Sequence, residues 1–135
     1  MQLHSIEVSI AGKYEDAFKE AAKAGSAALA VTLNSLAVSN RTQIVNLAAK
    51  NRLSAIYPRG EFVEGGGLMS YGANQDELYK RVAAIVDKLL KGAKPGELPV
   101  EQPKKFEFII NLKAAKQIGL TIPPNVLARA DKVIR

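Results

Sequence analysis

"SAIYPRGEFVEGGGLMSY", residues 54–71, holds two short apolar runs separated by a proline stop, an acidic turn and three consecutive glycines. The first run has strand length and is closed by Pro58, which cannot donate to a ladder. Leu68 to Tyr71 reads as a second strand. Gly65, Gly66 and Gly67 between them can adopt backbone angles closed to other residues. A phosphate cradle is excluded, because no lysine follows the glycines and a strand, not a helix, comes next. What remains is a plain loop or a joint between two moving parts.

Toward the N-terminus the pattern alternates between strand and helix. Ile6, Val8 and Ile10 alternate with polar residues, as in a strand buried on one face. Tyr14, Ala17, Phe18, Ala21 and Ala22 then recur at helical spacing, and Gly25 ends that helix. "AALAVTL", residues 27–33, is a continuous apolar run of the kind found in a central parallel strand covered on both faces. Asn40 with Gln43 has capping-box spacing for a second helix carrying Ile44, Val45, Leu47 and Ala48. Strand, helix, strand, helix, strand with short links predicts parallel βαβ units and an α/β fold.

Toward the C-terminus, Asn74 and Glu77 open a helix over about residues 75–91, with Leu78, Val82, Ile85, Val86 and Leu89 on one stripe. Pro95, Pro99 and Pro103 make the following segment a linker. "FEFIINL", residues 106–112, resumes a strand; Ala114, Ala115 and Ile118 suggest a short helix stopped by Gly119. A last helix is expected after Pro123 and Pro124, carrying Val126, Leu127, Ala130, Val133 and Ile134.

Composition narrows the function classes. A chain of 135 residues, 47% hydrophobic and 24% charged, fits one globular domain or a large piece of one. The net charge of +6 is spread over helix faces without an arginine run or aromatic-interleaved basic strand, so nucleic acid is not the expected partner. No cysteine is present, which removes disulfides, thiolate metal sites and a cysteine nucleophile. The first residues lack the basic and apolar regions of a signal peptide. His4 is the single histidine, so multi-histidine metal centres are excluded and no metal or cofactor is expected. Glu61 and Glu64 have spacing compatible with an acid/base pair or with simple solvent exposure. Nothing else assembles a nucleophile or oxyanion site, and no enzyme activity is expected.

A binding site is easier to place. Open parallel sheets take ligands beyond the carboxyl ends of their strands. Those ends here carry Asn34 and Ser35, Tyr57, and Ser70 and Tyr71, a mixture of orienting polar groups and flat aromatic faces.

Three blocks, "RLSAIYPRGEFVEGGGLMSYG" (52–72), "KLLKGAKPGELPVEQP" (88–103) and "INLKAAKQIGLTIPP" (110–124), closely resemble the C-terminal part of a bacterial family, the ABC-transporter substrate-binding proteins of the tryptophan/tyrosine type and their uncharacterised relatives. The resemblance runs over essentially the whole chain. It implies a type I periplasmic-binding-protein fold, in which two α/β lobes close on a ligand, and a chain that corresponds to the C-terminal portion, with an incomplete parallel-sheet three-layer lobe. By that resemblance, residues 1–64 and 105–135 belong to the C-terminal lobe and residues 68–92 to the other. The crossovers then fall near 65–67 and 93–104, making Gly65, Gly66 and Gly67 a hinge. The ligand positions map onto Asn34, Ser35, Tyr57, Glu61 and Tyr71. Many relatives carry Asp-Pro where this chain has Asn34-Ser35, and loss of that carboxylate would weaken capture of an amino group.

The implied function is solute binding for an ABC import system. The solute would be small and polar or aromatic, such as an amino acid. The full-length protein would be periplasmic or extracytoplasmic, with an ABC permease as partner. A ligand-sensing regulatory domain of the same fold is the alternative. A homodimer through the exposed apolar face or through helix exchange is a further expectation.

Overall fold

The computed structural model describes residues 2–135. Its five strands, β1 (Ala28–Ala30), β2 (Ser54–Tyr57), β3 (Met69–Ala73), β4 (Phe106–Asn111) and β5 (Lys132–Ile134), form one sheet in the order β1-β2-β3-β4-β5. Neighbouring strands are parallel except for β3 and β4, which run antiparallel from Met69↔Ile110 to Ala73↔Phe106. Helix α1 (Tyr14–Lys23) precedes β1, α2 (Ser35–Ser39) and α3 (Arg41–Lys50) join β1 to β2, and α4 (Gly60–Glu64) joins β2 to β3. The 16-residue α5 (Gln75–Leu90) separates β3 from β4, and α6 (Leu112–Gln117) and α7 (Pro124–Leu127) precede β5.

Strand register assigns the two cores to opposite faces of the sheet. Tyr57 pairs with Ser70 and Ser70 with Ile109, so these side chains share one face, while Ile56, Met69 and Ile110 share the other. On the first face Ala55 and Tyr57 pack with Tyr14, Phe18, Ile44, Val45 and Phe62 from the helices. On the second, Ile110 packs with Ala114, Ala115 and Ile122. The result is the expected α/β three-layer lobe with a mostly parallel sheet.

The lobe is uneven. Ala28, Ala30 and Ile56 are exposed, so the second face is bare across β1 and β2. The expectation that residues 27–33 form a central strand covered on both faces is therefore corrected: β1 is three residues long and lies at the sheet edge. Residues 2–9 form no strand either. Alternation marks a segment able to pair, but pairing needs a partner, and Ile10 is left exposed.

Two further corrections concern helices. Asn40 occupies the cap position of α3 without capping it; its amide donates back to the Leu36 carbonyl at 2.8 Å. Asn34 does the capping one helix earlier, accepting from the Ala37 N–H at 2.7 Å. The predicted last helix stops at Leu127, and Lys132–Ile134 is strand. Asp131 explains the switch: its backbone N–H donates to the Phe108 carbonyl at 2.9 Å and its carboxylate accepts from the Phe108 N–H at 2.8 Å. This pairing with β4 overrides the helical spacing of a short segment.

The glycine turn joins α4 to β3 within one sheet. Gly65, Gly66 and Gly67 donate to the carbonyls of Glu61, Val63 and Phe62 at 3.1, 3.0 and 2.8 Å, closing the helix. Gly66 has φ +102°, and a Cβ on Gly67 would sit 2.7 Å from both the Phe62 carbonyl oxygen and the Tyr57 ring. These glycines serve a tight, packed turn. Because β3 pairs with β2 and β4, residues 69–73 lie in the same sheet as the preceding elements, and the chain leaves that sheet at Asn74 rather than at Gly65. It returns at Lys105, whose carbonyl accepts from the Asn74 N–H at 3.0 Å.

Candidate functional site

A cleft of about 280 Å³ opens at the end of the sheet where β2 and β3 finish and β4 and β5 begin. Pro58 ends β2 and turns the chain into an extended Arg59, with φ −143°, immediately before α4. Ser70 and Gly72 on β3 face the same space as Glu107 and Ile109 on β4. Gly72 is required by close approach, because a Cβ there would overlap the Pro58 carbonyl oxygen. Asn74 caps α5 by accepting from the Glu77 N–H at 3.0 Å, which sets Gln75 and Asp76 at the rim.

Arg59 is the central side chain. One of its terminal nitrogens, Nη2, donates to Gln75 Oε1 at 3.0 Å, and Gln75 Nε2 in turn donates to the Ala73 carbonyl at 3.3 Å. Nη1 lies 3.7 Å from Glu61 Oε1, an ion pair without a hydrogen bond. The third nitrogen, Nε, is buried and has no hydrogen-bond partner. On the far side Lys132 Nζ donates to Glu64 Oε1 at 3.3 Å. The cleft thus presents a guanidinium surrounded by carboxylates and amides. Such a set can orient a small polar ligand. Among the described residues no group of three or more His, Asp or Glu is arranged to hold a metal ion.

The positions anticipated from sequence separate in space. Glu61 lines the cleft, and so does the strand-end Ser70. Asn34 and Ser35 lie outside its lining; Asn34 Oδ1 is engaged in the helix cap. Tyr57 is a core residue, 2% exposed and stacked on Phe62 with ring centroids 5.0 Å apart. Burial pushes its phenol up to about 12, so it remains neutral. Tyr71 is exposed on the opposite face of the β3–β4 ribbon, stacked 5.6 Å from Phe106 and edge-on to Phe108 at 6.5 Å. Arg59, Gln75, Asp76, Glu107 and Lys132 were not legible as site residues. Only Arg59 carried a local signal, a lone cation directly behind the proline that ends a parallel strand.

A sequence profile of the ABC transporter substrate binding protein family matches residues 2–134. The chain belongs to the ABC transporter substrate-binding protein family. Solved structures agree. An ABC domain from Streptococcus pneumonia in complex with L-Trp shares 26% identity over 97% of this chain and 44% of its own, with a TM-score of 0.87. A conserved domain protein from Vibrio cholerae shares 26% identity over 93% of this chain and 42% of its own, with a TM-score of 0.85. A ligand-free, open substrate-binding protein with adhesive properties from Clostridium difficile, at 21% identity, shares the fold with a TM-score of 0.61. No curated protein matches. The chain spans less than half the length of these structures.

Proposed function

We propose that the chain is part of the solute-binding component of an ABC import system, and that it forms one wall of a cleft for a small polar or aromatic solute such as an amino acid. The observation that carries this reading is the cleft at the carboxyl ends of β2 and β3, with Arg59 and Glu61 side by side in it. The L-Trp held by a structure of the same fold supports an amino acid. In this reading the sheet and the helices packed on it belong to one lobe. The segment from Asn74 to Lys105 reaches into the other, so the paired exits at those residues are the crossover. The whole protein would bind rather than transform its solute, outside the cytoplasm, and deliver it to a permease after the lobes close.

A single wall holds a solute weakly. Titration of the isolated ¹⁵N-labelled chain with individual amino acids should shift backbone amides around Arg59, Glu61, Ser70 and Gln75, with affinities weaker than micromolar. Amide shifts confined elsewhere, or none with any amino acid, would refute the reading. Micromolar binding of an aromatic amino acid by calorimetry would contradict the single-wall description.

A further inference from the structure

We propose that Arg59 and Gln75 form a latch across the joint where the chain leaves the sheet, and that this latch sets the direction in which α5 projects. The latch needs no bound solute.

α5 is held to the lobe at one end only. Its half-buried residues, Gln75, Glu77, Leu78 and Arg81, fall in the first two turns, and every residue from 82 to 90 is exposed. Arg81 pairs with Glu101 of the linker, which leaves and returns with the helix. The whole segment departs at Asn74, just past β3, and returns at Lys105, just before β4. One backbone hydrogen bond of 3.0 Å joins those two residues. Hinges are built from a few such element-terminal positions, which absorb the change in backbone angles.

Among the described residues, a single side-chain hydrogen bond ties α5 to any residue that precedes β3: Arg59 Nη2 donates to Gln75 Oε1 at 3.0 Å. Gln75 Nε2 donates to the Ala73 carbonyl at 3.3 Å, so the amide is gripped from both sides. A swing of α5 carries Gln75 with it and breaks the bond to Arg59.

The guanidinium has a second seat. Glu61 Oε1 stands 3.7 Å from Nη1, an ion pair short of a hydrogen bond, and Nε is buried without a partner. Arg59 is therefore under-satisfied where it stands. Once Gln75 leaves, the freed group closes on the Glu61 carboxylate, whose two oxygens match one edge of a guanidinium. Arg59 thus has one arrangement for each state of α5, bonded to Gln75 with the helix fixed or to Glu61 with the helix free. Two discrete arrangements make a latch where continuous bending would not.

The test uses the ¹⁵N-labelled chain without ligand and compares residual dipolar couplings of the sheet with those of α5. In the unsubstituted chain one alignment should fit both. In Gln75→Ala the α5 couplings should shrink to roughly half of what the sheet alignment requires, while α5 keeps its helical carbon shifts. Arg59→Met removes the donor without touching α5 or its cap and should free the helix equally. The Arg59 Nε–Hε signal should move downfield in Gln75→Ala, and that displacement should be lost when Glu61→Gln is added. Couplings of α5 that stay with the sheet in both variants overturn the latch. So does loosening in only one of them, because a latch needs both sides. An α5 already independent of the sheet in the unsubstituted chain overturns it too. An unmoved Nε–Hε signal overturns the transfer to Glu61. None of these outcomes bears on whether the cleft takes a solute.

Discussion

Helices α3 and α5 carry the same kind of apolar stripe and meet opposite fates. α3 inserts Ile44, Val45 and Ala48 into the core beside Phe18 and Phe62. α5 is longer and well capped, yet buries no residue: Val82 and Val86 remain 56% and 46% exposed. An amphipathic pattern states that a helix needs an apolar partner; it does not supply one. α5 stands on its cap, on side-chain pairs such as Lys80 with Glu77 and Lys91 with Asp87, and on the Arg81–Glu101 ion pair to the linker.

Truncation on the two sides should make this contrast measurable. Phe62 is fully buried against Tyr57, and Phe62→Ala should cost about 3–5 kcal/mol by urea denaturation. A loss below about 1 kcal/mol would mean that the first core is as loosely held as α5. Asn111 binds the sheet to its helices, accepting from the Ala114 N–H at 3.1 Å and donating to the Val63 carbonyl at 3.3 Å. Asn111→Ala takes the cap from the buried Ala114 N–H and should cost about 1–3 kcal/mol in the same assay.

Alkaline pH should act on the core. The Tyr57 phenol titrates near 12 in the fold and near its ordinary 10 when unfolded, so its contribution is complete below pH 10 and is lost as pH rises through the folded value. Thermal melts should therefore fall between pH 10 and 12, and Tyr57→Phe should flatten that decline. An unchanged slope in the variant would assign the decline to other groups.

The smallest stability effect belongs to α5, where it comes with a change of assembly. Val86→Ala should change stability by less than about 0.5 kcal/mol. We expect the exposed stripe to make copies of the chain associate, so the sedimentation mass should rise with concentration. Val82→Glu combined with Val86→Glu should keep the chain monomeric at unchanged core stability. Concentration-independent mass in the unsubstituted chain would show that the stripe draws in no second copy.

Much of the fold was legible where local chemistry and tertiary context agree. Pro58 ended β2, Asn74 capped α5, Gly119 at φ +75° ended α6, and the alternation of Phe106, Phe108 and Ile110 matched β4. It was misread where a partner decides. Residues 2–9 alternate but pair with nothing, and Val133 and Ile134 keep helical spacing but pair with β4. The candidate site was less legible still. Tyr57 and Tyr71 both read as strand-end tyrosines, yet register buries one and turns the other, in the middle of β3, to the face away from the cleft.

By itself the sequence determined the α/β class, the order of most elements, the linker and the family resemblance, because caps, breakers and apolar period act over a few residues. Only the tertiary structure decided that Gly65 to Gly67 close a packed turn within one sheet, that the chain exits at Asn74, and that Arg59, Ser70, Glu107 and Lys132 share a cleft. The physical reason is that these facts depend on strand register across tens of residues. A shift of one residue in pairing would have sent each of the strand-borne side chains to the other face.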